Sequence, residues 1–126
     1  MNHNGSINLA KSLIDMAVEA GVDAVKFQTW KTELLVTKEV KQAEYQTENT
    51  GVKESQYDML KKLELSYDDF RELKGYCDAK GILFLSTPDE PTSADFLYEL
   101  QDIFKIGSGE LTNIPFLQHI GSFKKK

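Results

Sequence analysis

Helical and strand-like stretches alternate along this chain, and that alternation limits the possible folds more than any single residue does. Leu9, Leu13, Met16, Ala17 and Ala20 recur at three- and four-residue steps, so a helix is expected over about Asn8–Ala20. Gly21 follows it, in the position where a left-handed residue ends a helix. The strand-like segment Ala24-Val25-Lys26-Phe27-Gln28-Thr29 comes next. The stretch from Trp30 to Lys53 is polar and reads mostly as loop, with helix possible around Lys38–Tyr45, and Glu54 to Leu63 is helical. Ser66 with Asp69 three residues later has the form of a capping box, opening a helix that runs to about Lys80 with Phe70, Leu73 and Cys77 on one side. Gly81 ends that helix, and Ile82-Leu83-Phe84-Leu85 has the unbroken apolar character of a parallel strand covered on both faces. A turn over Pro88–Pro91, a helix to Leu100 burying Phe96, Leu97 and Leu100, a third strand at Ile103-Phe104-Lys105-Ile106 and a short helix over about Ile114–Ile120 complete the pattern.

Strands centred near Val25, Phe84 and Lys105 with helices between them imply βα units and a parallel sheet. The helix ends Ala20-Gly21 and Lys80-Gly81, each followed closely by a strand, are the nearest approach to an internal repeat. With 126 residues and 40% hydrophobic content, the chain suits one domain with a packed core. The polar opening Met1-Asn2-His3-Asn4-Gly5 leads directly into a helix, and the chain stops at Ser122-Phe123-Lys124-Lys125-Lys126; both ends read as cuts through a larger protein.

Charge and cysteine content exclude several classes. The net charge of -5 gives little basic surface for phosphate neutralisation, which argues against nonspecific nucleic-acid binding. The Lys124–Lys126 run is read as a solvated terminus. A single cysteine, Cys77, excludes an intrachain disulfide and a cysteine-rich zinc site, and points to a reducing compartment, the cytoplasm. No apolar run approaches the ~20 residues of a membrane span, and no signal peptide is recognisable.

Each strand turns polar at its carboxyl end. Lys26 and Gln28 lie two residues apart and so share a face, the second strand ends in Ser86-Thr87, and the third carries Lys105 and runs into Ser108-Gly109-Glu110. Ligands of parallel α/β folds bind outside these strand ends. An ammonium on a buried strand needs a partner, so Lys26 and Lys105 are expected either to face an anionic ligand or to pair with nearby carboxylates. Ser108-Gly109 can offer a hydroxyl and backbone N–H groups to a phosphate, although Ser-Gly is also a common turn. Taken alone, Glu110 reads as a solvated carboxylate and His3 as a surface residue, whereas Phe27, Phe84 and Phe104 read as core.

Asn2-His3-Asn4-Gly5, Lys26-Phe27-Gln28-Thr29, Leu85-Ser86-Thr87-Pro88 and Lys105-Ile106-Gly107-Ser108-Gly109-Glu110, in this order, resemble the sialic acid synthase family, which includes N-acetylneuraminate, legionaminate and pseudaminate synthases. The stretches Glu54-Ser55-Gln56-Tyr57 and Leu63-Glu64-Leu65-Ser66 resemble it too, so the likeness covers nearly the whole chain.

The resemblance implies the N-terminal portion, roughly the first half, of a (β/α)8 barrel spanning residues 1–126 and truncated at both ends. It also implies metal-dependent condensation of phosphoenolpyruvate with an N-acetylated hexosamine similar to N-acetylmannosamine, giving a nonulosonic (sialic) acid and phosphate. Lys26 and Thr87 would hold the phosphoenolpyruvate carboxylate, and Lys105 and Ser108 its phosphate. Gln28 and the catalytic candidate Glu110 would face the sugar and the metal-bound centre, with Asn49 a further sugar contact.

The family's cofactor is a divalent metal, Mn2+ or Mg2+. Its two metal-binding histidines have no counterpart here, so no metal ligand is assigned in this chain and no bound metal is expected. The family's glutamate from the strand before Asn2 is also missing, and Asp89 stands where many members carry an aromatic residue. Two alternatives are a Schiff-base aldolase on the same barrel, using Lys26 or Lys105, and a noncatalytic sugar- or phosphate-binding fragment. As a 126-residue chain it is expected to be inactive and to self-associate through exposed strand edges, or otherwise to form a homo-oligomer.

Overall fold

The computed structural model describes residues 1–36 and 55–126. Helix α1, Ile7–Glu19, starts at Ser6, whose side chain accepts the Leu9 N–H, and ends at Ala20 before Gly21 with φ +73°. Strand β1 is Ala24–Thr29 and helix α2 is the single turn Thr32–Leu35. Helix α3, Gln56–Leu63, is capped by Ser55. Helix α4, Tyr67–Lys80, has the full capping box of Ser66 and Asp69 and closes on left-handed Gly81 at φ 72°. Strand β2 is Leu83–Pro88, helix α5 is Pro91–Tyr98, and helix α6 is Ile114–Ser122.

Strands β1 and β2 pair in parallel, from Ala24 opposite Leu83 to Thr29 opposite Pro88. The Asp89 N–H donates to the Thr29 carbonyl at 3.0 Å and carries the pairing one residue further. Ala10, Ile14, Leu65, Phe70, Leu73, Cys77, Phe84 and Leu97 form the buried core, and Phe27 stacks on Phe84 and meets Phe70 edge-on. Among the described residues, no helix is long and apolar enough to cross a membrane.

Four expectations change. The buried stripe of α1 is Ala10 and Ile14, flanked by Ile7 and Ala17, whereas Leu9 is 39% and Met16 64% exposed. Both stripes satisfy helical spacing, and packing against α4 selects between them. Strand β2 is longer than expected and includes Pro88, and Leu83 lies on an exposed position at its start.

His3 is buried, not on the surface. Asn4 and Gly5 adopt positive φ values of 48° and 73°, folding Met1–Gly5 back, and the Gly5 N–H donates to His3 Nδ1 at 3.1 Å. A side chain at Gly5 would collide with the Lys62 carbonyl, so this turn requires glycine.

The third strand is the largest difference. Residues 103–106 form no ladder with β2. Instead the Gln101 side-chain amide occupies that edge: its oxygen accepts the Ser86 N–H at 2.6 Å, and its nitrogen donates to the Ser86 carbonyl at 2.8 Å. The neighbouring backbone pairs elsewhere, with the Phe104 N–H donating to the Lys126 carbonyl at 2.7 Å and the Lys126 N–H to the Asp102 carbonyl at 3.0 Å. One amide thus does at Ser86 what a strand backbone would do.

Candidate functional site

The carboxyl ends of β1 and β2 and the Lys105–Glu110 segment enclose an open cavity of about 440 Å3. Lys26, Gln28, Thr87, Lys105, Ser108 and Glu110 all line it, together with Leu35, Asp89, Gly107 and Gly109. The register explains the grouping, because Lys26 and Gln28 share a face of β1 and Gln28 lies opposite Thr87 on β2. The glycine-rich segment approaches β2 closely enough that a Cβ at Gly107 would sit 3.8 Å from Thr87 Cγ2. Ser108–Glu110 then forms a 3-10 turn, in which the Glu110 side chain accepts from Asn113 Nδ2 at 2.6 Å. Asn49, the further sugar-contact candidate, lies outside the described residues.

Electrostatically the two lysines stand apart from most charged groups in the molecule. Among the described residues, neither Lys26 nor Lys105 has a carboxylate within ion-pair distance, so the structural ion-pair alternative does not describe them. Both are exposed to solvent in the cavity, so the expectation of desolvated ammonium groups is corrected as well. Thr87 is 1% exposed and its hydroxyl has no hydrogen-bond partner among the described residues. A buried hydroxyl left unpaired costs about 1–3 kcal/mol, and an acceptor entering the cavity would relieve it.

Asp89 is the group that sequence reading left without a role. Burial pushes its carboxyl up to about 6, reinforced by the nearby Glu110 and Glu90 charges and opposed by the Gln28 amide and the Lys26 ammonium. Its position two residues after Thr87 was the available signal, since a strand prolonged through Pro88 puts both on one face.

The loop after β1 is held by Glu64. Its Oε2 accepts the Thr32 N–H at 3.0 Å and the Thr32 hydroxyl at 2.7 Å, and Trp30 Nε1 donates to that same hydroxyl oxygen at 3.1 Å. This anchoring fixes the start of α2, which carries Leu35 into the cavity wall.

The sequence model of the NeuB family matches residues 13–126. The chain belongs to the NeuB family. It is 50% identical over 125 residues to the N,N'-diacetyllegionaminic acid synthase of Legionella pneumophila, covering 98% of this chain and 35% of that protein. Against the N-acetylneuraminate-9-phosphate synthase of Homo sapiens it is 34% identical over 118 residues, covering 93% of this chain and 33% of the relative.

Among solved structures, the N-acetylneuraminic acid synthetase of Leptospira borgpetersenii, in complex with citrate, superposes with a TM-score of 0.78 at 29% identity, over 98% of this chain and 39% of that one. The chain therefore spans about a third of the length of the curated relatives it matches and corresponds to their N-terminal portion. It folds as part of an α/β barrel with parallel strands.

The divalent metal implied by the family resemblance does not fit the described residues on their own. Among them, no group of three or more His, Cys, Asp or Glu side chains comes together to hold an ion.

Proposed function

We propose that these residues form the phosphoenolpyruvate-binding wall of a synthase that condenses phosphoenolpyruvate with an N-acetylated amino sugar. The products are a nonulosonic acid and phosphate. In that reaction carbon three of phosphoenolpyruvate bonds to the aldehyde carbon of the sugar, water supplies the oxygen at carbon two, and phosphate departs. A divalent cation, Mn2+ or Mg2+, belongs to the reaction in the complete enzyme, with ligands from outside this chain. The cytoplasm, where phosphoenolpyruvate is made, is the proposed location.

The observation that carries this reading is the meeting, in a single cavity at the strand ends, of two ammonium groups without a carboxylate partner and one buried hydroxyl without a hydrogen-bond partner among the described residues. Phosphoenolpyruvate presents a carboxylate and a phosphate a few bonds apart. Lys26 and Thr87 suit the carboxylate, and Lys105 with the Ser108 hydroxyl and N–H suits the phosphate. A cation beside the phosphate also stabilises it as it leaves. Gln28 and Glu110 line the same cavity and serve the sugar.

The test is titration of the 126-residue chain with phosphoenolpyruvate, followed by calorimetry or amide NMR shifts. Binding is expected, and Lys105→Ala is expected to weaken it about tenfold or more, the scale of a lost hydrogen bond to a charged group. Equal affinity for wild type and Lys105→Ala would overturn the assignment. A manganese-supplemented phosphate-release assay on the same chain is expected to show no turnover.

A further inference from the structure

The cavity lining carries charge of both signs. Lys26 and Lys105 supply cationic charge, whereas Asp89 and Glu110 supply carboxyl groups close enough to influence one another. Thr87, more than nine-tenths buried, lines the same cavity with a hydroxyl that has no hydrogen-bond partner among the described residues. A site built only for a dianion would gain nothing from carboxylates in its lining, since they repel the ligand. The second pair therefore needs a ligand of its own, and a carboxylate accepts hydrogen bonds but donates none. What suits it is neutral and rich in O–H or N–H donors.

Asp89 is better placed for this than Glu110. Glu110 accepts from Asn113 Nδ2, the N-cap residue of the helix that follows it, whereas among the described residues Asp89 forms no ion pair and the Gln28 amide that acts on it lines the same cavity. The Asp89 backbone is held, since its N–H donates to the Thr29 carbonyl at 3.0 Å and its neighbour Glu90 caps α5 by accepting the Thr92 and Ser93 N–H groups at 2.6 and 3.0 Å. A carboxyl carried on so constrained a backbone is pre-organised for a ligand.

Resting on the proposed function, we infer that Asp89 is a specificity-determining residue that accepts a hydrogen bond from an O–H or N–H donor of the neutral amino-sugar substrate, in the cavity it shares with the phosphoenolpyruvate-binding lysines. It selects against partners lacking that donor, because the carboxylate would then be desolvated with nothing in return.

The experiment compares wild type, Asp89→Ala and Asp89→Asn in the full 126-residue chain by amide NMR titration with phosphoenolpyruvate, N-acetylmannosamine and mannose in turn. Asp89→Ala is expected to weaken N-acetylmannosamine about tenfold while phosphoenolpyruvate binds as tightly as before or more tightly. Asp89→Asn keeps an acceptor oxygen and is expected to lose about threefold. A matching loss for mannose assigns the donor to a hydroxyl, and a loss confined to N-acetylmannosamine assigns it to the amide N–H.

Unchanged N-acetylmannosamine affinity in Asp89→Ala overturns the inference, as does a parallel loss for sugar and phosphoenolpyruvate. Wild type that binds phosphoenolpyruvate but no sugar also overturns it while leaving the proposed function standing. Wild type that binds neither overturns both.

Discussion

Two adjacent residues of β2, Ser86 and Thr87, belong to opposite kinds of environment. Ser86 is wholly buried and fully paired: its hydroxyl lies 2.7 Å from the Thr29 hydroxyl, and both of its backbone groups bond to the Gln101 amide. Thr87 is equally buried, yet among the described residues its hydroxyl has no partner, in a cavity lined by lysines that lack a carboxylate partner. One side of the strand spends its polar groups on holding the fold, and the other keeps them available. The contrast teaches that burial alone does not distinguish structural polar groups from binding ones, whereas satisfaction does.

The largest expected effect tests the satisfied side. Gln101→Leu leaves the Ser86 N–H and carbonyl without partners on a buried edge, so the chain should lose about 2–4 kcal/mol in urea denaturation. A loss below 0.5 kcal/mol would show that water or the 103–106 segment takes over the edge.

Next in size is Asp89→Asn, which tests the available side. The folded-state pKa of about 6 lies above the ordinary aspartate value of 3.8, so the folded chain holds this proton more tightly than the unfolded one. Stability is therefore lost as pH rises from about 4 through 6, and is not regained above it. Removing the charge should stabilise the chain at pH 7.5 by about 1–2 kcal/mol, after discounting for solvent screening, with the advantage gone below about pH 4. Thermal melts at both pH values decide this; an advantage equal at the two would locate its cause elsewhere than in the carboxyl.

The smallest effect is the sharpest comparison. Thr29→Val and Thr87→Val make the same chemical change at two fully buried positions. Thr29→Val strips the Ser86 hydroxyl of its partner and should cost about 1 kcal/mol, whereas Thr87→Val removes an unpaired hydroxyl and should be neutral or stabilising by a few tenths. Phosphoenolpyruvate binding should respond in reverse, weakening several-fold in Thr87→Val and changing little in Thr29→Val. Equal stability losses in the two variants would dissolve the distinction.

Much of this was legible in the residues. The capping box at Ser66, the left-handed Gly21 and Gly81, the core positions Phe70, Leu73, Cys77 and Phe84 and the parallel β1–β2 pair follow from local chemistry and periodicity, which act over a few residues. So does the placement of Lys26, Gln28, Thr87, Lys105, Ser108 and Glu110 around one cavity, because the ends of parallel strands lie side by side. The burial of His3 was not legible: it depends on a turn locked by the contact of Gly5 with Lys62, 57 positions away.

What the sequence by itself determined, then, is the order of elements, their caps and the chemistry carried to each strand end. Only the tertiary structure decided which of two equally periodic stripes α1 buries, that a glutamine amide rather than a third strand closes the edge at Ser86, and that Asp89 joins the cavity. The physical reason is range. Periodicity and capping are settled within one or two turns of chain, whereas the pairing of a strand edge and the desolvation of a carboxyl depend on groups that only folding brings near.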